Sequence, residues 1–124
     1  MQTDLELLQG TWRVDSVEID GAGISSAVFA GAQLIIDGER FVSLSMGAVY
    51  EGILQLDPEQ KPKSLVMVFT KGPEHGHTNH GIYEVAPKGW RLCLNIVGGP
   101  RPAAFSTSPG SGHALETLVR KLDQ

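Results

Sequence analysis

The chain predicts an all-β domain, an antiparallel sandwich or barrel that follows one short helical turn. Three observations predict it. Turn signals recur about every 8 to 12 residues, the spacing of short strands joined by tight connections. They stand at Asp20-Gly21, Asp37-Gly38, Met46-Gly47, Asp57-Pro58, Lys71-Gly72-Pro73, Pro87-Lys88-Gly89 and Gly98-Gly99-Pro100. The segments between them alternate: Trp90, Leu92, Leu94 and Ile96 share one face while Arg91, Cys93 and Asn95 share the other, the period of two of a half-buried strand. The start of the chain supplies the third signal. Thr3 and Glu6 have capping-box spacing, Leu5 and Leu8 give a brief helix an apolar side, and Gly10-Thr11-Trp12 then turns the chain into a strand led by a large aromatic.

The predicted strands run from Thr11 to Ile19, Ala32 to Ile36, Arg40 to Leu44, Val49 to Leu56, Leu65 to Thr70, His80 to Val85 and Trp90 to Ile96. The first alternates through Trp12 and Val14 and then slips phase to Val17 and Ile19, which predicts a bulge near Ser16. Ala22 to Ala30 is rich in Gly, Ala and Ser with Val28 and Phe29 inside it, and reads as a loop or lid. The C-terminal segment sets two signals against each other. Leu115, Leu118, Val119 and Leu122 have helical spacing, and Glu116 with Arg120 would form an i,i+4 pair. A strand from Ala114 to Lys121 would instead close a barrel and remove the exposed edges of an open sheet. We expect the strand.

Composition narrows the function classes. One core must serve 124 residues with seven prolines and fifteen glycines spread along them. A net charge of −4 without a basic run is unsuited to a phosphate backbone, so no nucleic-acid partner is expected. The longest apolar stretches, such as Leu65 to Phe69, fall far short of the roughly 20 residues of a membrane-spanning helix. No basic start followed by an apolar run is present, which predicts a cytoplasmic protein, or an exported one whose signal peptide lies outside this sequence. Cys93 is the single cysteine; it excludes an internal disulfide and reads as a buried, inert thiol.

Further residues carry a resemblance. With Leu8-Gln9-Gly10-Thr11-Trp12, Gly81-Ile82-Tyr83-Glu84, Leu92-Cys93-Leu94, Arg101-Pro102 and the run from Phe105 to Gly112 in this order, the chain resembles a bacterial family of small uncharacterised lipocalin-like, calycin-type domains. The resemblance spans nearly the whole chain. It implies an eight-stranded antiparallel up-and-down β-barrel whose final segment is a strand, and it implies no activity. It also implies that Gly10, Trp12 and Arg120 close one end of the barrel. In lipocalins an arginine of the last strand commonly lies across the tryptophan ring, an arrangement that contributes roughly 0.5 to 2 kcal/mol. The resemblance does not extend to the histidines between Lys71 and His80.

Those histidines are read on chemistry alone. Glu74-His75-Gly76-His77-Thr78-Asn79-His80 places His75, His77 and His80 within six positions. The spacing permits weak Zn, Ni or Cu binding, with an open position for a bound water, but better fits an exposed polar hairpin loop that preorganises nothing. Arg101, held between two prolines, is either a clamp for an acidic ligand or a cap for loop carbonyls, with Glu84 or Glu51 as possible partners. Ser106, Ser108 and Ser111 lack the elbow of a nucleophile. Phe41, Tyr50, Met67, Phe69 and Tyr83 are the side chains best suited to line a cavity. The leading expectation is therefore noncatalytic binding of a small apolar molecule in the barrel lumen, with no cofactor. The alternatives are a metal-binding protein or metal-dependent enzyme built on the histidines, and a filled barrel that acts as a protein-interaction domain.

Overall fold

A computed structural model describes residues 2–45, 47–86 and 88–121. Met46 and Pro87 of the predicted turns and Leu122 of the C-terminal apolar series lie outside them. Helix α1 (Asp4–Leu7) opens the fold, and its predicted box is formed: the Thr3 hydroxyl accepts from the Glu6 amide while the Glu6 carboxylate accepts from the Thr3 amide. Strands β1 (Gly10–Ile19), β2 (Ala22–Gly23), β3 (Gln33–Asp37), β4 (Arg40–Ser45), β5 (Ala48–Asp57), β6 (Ser64–Lys71), β7 (Thr78–Ala86), β8 (Gly89–Asn95) and β9 (His113–Arg120) follow. From β3 onward each strand pairs antiparallel with the next, and β1 pairs with β3 on one side and β9 on the other. Eight strands thus form a closed up-and-down barrel, to which the two-residue β2 adds a short ribbon at the end of β1.

Closure decides the C-terminal segment. As strand β9, its main chain is paired on both sides, to β8 and to β1, which a helix there would have left open. The first-strand bulge is present: Val14 pairs with Leu118 and Ser16 with Thr117, so Asp15 is the extra residue. It reverses the phase of β1 so that both Val14 and Val17 line the interior. Most strand limits differ from the predicted ones by one or two residues, and two of these differences have a local cause. β7 begins at Thr78 rather than His80, because the hairpin tightens at Gly72 and Gly76, where φ is positive. β8 ends at Asn95, and the Ile96 amide turns to the Gly112 carbonyl instead. Within Ala22 to Ala30, β2 replaces the start of the expected loop.

One half of the barrel is packed solid. Leu8, Trp12, Phe41, Leu54, Leu65, Tyr83 and Leu118 are buried there to within 1%, each apolar side chain gaining roughly 1.5 to 3 kcal/mol by leaving water. Gly52 makes room for this packing, since a Cβ on it would meet the Phe41 ring at 2.7 Å. A second, smaller core lies outside the barrel wall. Ile82 and Cys93 pair across β7 and β8 on the outward row and are buried nonetheless, beneath residues 96–112. That segment is fixed by the Cys93 thiol donating to the Ser106 carbonyl, by Asn95 bonding the Val97 and Gly99 amides and the Pro100 carbonyl, and by the Gly112 amide on Asp20. Burial pushes the Cys93 thiol up from its ordinary value, as an inert thiol requires.

Candidate functional site

The barrel's two ends differ because register sets the height of each inward residue. At the end where β1 begins, α1 lies across the opening. Trp12 donates its indole N–H to the Leu8 carbonyl at 2.8 Å, and the Arg120 guanidinium stands 4.2 Å above the Trp12 ring. The same guanidinium donates to the Leu7 carbonyl at the end of α1 and to the Gln9 carbonyl just past it. Gly10, at φ 113°, is required beneath it: a Cβ there would come within 3.0 Å of Arg120 Nη1. A polar latch completes this end. Asp4 accepts from both the Tyr83 hydroxyl and Lys63 Nζ at 2.8 Å. Burial pushes the Asp4 carboxyl up, yet the bonds from Lys63 and Tyr83 outweigh it and hold the group below its ordinary 3.8. Tyr83 is raised by burial and then by the adjacent Asp4 carboxylate.

At the other end the interior opens into a cavity of about 360 Å³. Its walls are mainly apolar: Val14, Val17, Leu34, Met67, Phe69, Leu92 and Leu94 from the strands, with Ile24, Val28, Phe29 and Ala32 from the connection that follows β1. That connection is the segment read as a lid. It crosses the mouth with Phe29 buried and Val28 about half exposed, held by turns from Ser25 to Val28 and Phe29 to Ala32. The polar lining consists of Ser43, Ser45, Tyr50, Glu74, Asn79 and Glu116, and no lysine, arginine or histidine lines it among the described residues. Glu116 is the group that the sequence reading missed. On β9 it alternates inward with Ala114 and Leu118, and no hydrogen bond or ion pair reaches its carboxylate among the described residues. Burial alone pushes that carboxyl up. An i,i+4 helical pairing with Arg120 had obscured it; the alternation of the strand exposes it.

Of the side chains expected to line a cavity, Tyr50, Met67 and Phe69 do so. Phe41 lies below them in the packed half, edge-on to Phe69 at 5.3 Å, and Tyr83 belongs to the latch. Arg101 lies outside the cavity, where it donates to the Gly81 and Leu65 carbonyls; Glu84 and Glu51 are paired instead with Arg91 and Arg40. The three histidines are not gathered. His75 and His77 are exposed in the hairpin, His77 bonding Glu74 at 2.8 Å, whereas His80 sits within β7, opposite Val66 and Asn95 and on the other face from Asn79. Among the described residues no three His, Cys, Asp or Glu side chains converge as a metal-holding group, and no helix is long and apolar enough to cross a membrane.

Comparison of the chain with protein-family models, with curated proteins and with solved structures returns no match.

Proposed function

We propose that this protein binds a small, mostly apolar molecule in the lumen of its barrel, and that it belongs with the small lipocalin-like domains it resembles. The observation that carries the reading is the cavity of about 360 Å³, walled by aliphatic and aromatic side chains and roofed by Ile24, Val28 and Phe29. That volume falls within the roughly 300 to 1,000 Å³ of small-molecule sites, and the mixture of an apolar wall with a few polar groups is their usual composition. The kinship rests on Gly10, Trp12 and Arg120, which meet at the closed end. With that end plugged, a ligand has one way in, past the segment from Ala22 to Ala30.

The test is a fluorimetric titration with N-phenyl-1-naphthylamine, a neutral apolar dye that brightens when it leaves water. The wild-type protein should bind it saturably at one site per chain. Ala114→Phe, which fills the cavity from β9, should abolish the binding while circular dichroism shows the barrel intact. A wild-type protein that gives no saturable signal would defeat the proposal.

A further inference from the structure

Of the carboxyl groups that line the cavity, Glu116 is the one that neither the described residues nor an apolar ligand partners. Glu116 stands opposite Leu92 on β8 and Val17 on β1, one inward position above Leu118 and therefore just over the packed half. The inward side chains around it are Val14 and Val17 from β1 and Leu92 and Leu94 from β8, with Ile24 and Phe29 at the mouth; none of these titrates. The remaining titratable groups of the cavity are Tyr50 on β5 and Glu74 beside the mouth, the latter already bonded to His77. The cavity thus contains two carboxyl groups and, among the described residues, no cation.

Three kinds of head group could meet Glu116. An acid would bring a second negative charge into a low-dielectric space, where like charges repel strongly. An alcohol would gain a single neutral hydrogen bond. An ammonium would form a charge-assisted bond, about twice as strong as a neutral one. Burying a charge pair ordinarily costs the desolvation of both partners. Here the fold has already placed the carboxyl among apolar side chains, so the ligand completes a half-made pair. Resting on the lumen-binding reading above, we infer that the ligand is a small apolar amine whose ammonium pairs with Glu116 and whose hydrocarbon extends past Ala114 to the Ile24 to Phe29 roof.

The experiment compares n-octylamine, 1-octanol and octanoate as competitors of N-phenyl-1-naphthylamine, on the wild-type protein and on Glu116→Gln. The three share one hydrocarbon chain, so their differences report the head group. Wild type should bind the amine about ten- to a hundredfold more tightly than the alcohol, as a hydrogen bond to a charged group predicts, and octanoate most weakly. In Glu116→Gln the amine should fall to the level of the alcohol, whose affinity stays unchanged. Lowering the pH through the range in which Glu116 takes up a proton should weaken octylamine binding to wild type but not to the variant, because the amine stays charged throughout. An alcohol that matches the amine on wild type, or a variant that keeps the amine preference, would overturn the inference and leave lumen binding standing. Failure of all three to displace the dye would remove both.

Discussion

Trp12 draws three interactions to one side chain: the hydrogen bond to Leu8, the overlying Arg120, and the Trp90 ring at 6.2 Å. Trp12→Ala should therefore cost about 3 to 5 kcal/mol in denaturant titration, the range for truncating a buried large aromatic; a loss under about 1 kcal/mol would show that the ring does not hold the closed end. Tyr83→Phe removes only the hydroxyl of the latch and should cost about 1.5 to 3 kcal/mol, the net worth of one hydrogen bond to a charged group. Two of the shifted carboxyls, Asp4 and Glu116, pull stability in opposite directions with pH. Asp4 titrates lower in the folded state than in the unfolded chain, so its contribution is present above its ordinary 3.8 and is lost as the pH falls through the folded value. Glu116 titrates higher when folded. Below its ordinary 4.5 it has no effect, and as the pH rises the unfolded chain ionises first, so the fold is progressively destabilised. Glu116→Gln should accordingly raise the thermal midpoint at about pH 7 and leave it unchanged near pH 4. A variant less stable than wild type at neutral pH would mean that the carboxylate has a partner in the fold.

At the scale of elements, pairing and packing explain what periodicity leaves open. The C-terminal segment has the spacing of a helix, yet as β9 it closes the ladder between β8 and β1. The free energy that decides between the two is carried by strands far away in sequence, which no local pattern registers. The bulge at Asp15 was legible because it breaks an alternation, and the α1 capping box because it is a purely local bond pair. Gly52 shows the same dependence on distant residues: φ alone does not require glycine there, whereas the Phe41 ring and the Val68 carbonyl do. Gly52→Ala should overpack the closed half and lower stability by about 1 to 3 kcal/mol in chemical denaturation. An unchanged midpoint would show that β4 and β5 can shift apart at no cost.

For the whole molecule, the division into a packed half and an open half is the feature on which the ligand-binding proposal depends. Alternation told which face of each strand turns inward; it did not tell how high along the barrel a residue lies. Phe41, Phe69, Tyr50 and Tyr83 look equivalent in sequence, yet register sends Phe41 and Tyr83 to the packed end and Tyr50 and Phe69 to the cavity. The mouth segment was legible from its small residues around Val28 and Phe29. Arg101 was not, since the path of residues 96–112 over the outer wall is set by bonds to Asp20, Asn95 and Cys93. The most direct test of the account is methyl NMR of the isotope-labelled protein titrated with 1-octanol. Saturable shifts should appear at Val14, Val17, Ile24, Leu34, Met67 and Leu92, which line the cavity, while Ile36, Leu54 and Leu65 in the packed half stay still. Shifts confined to outward-facing methyls, or no saturable shift at all, would contradict a ligand-binding lumen.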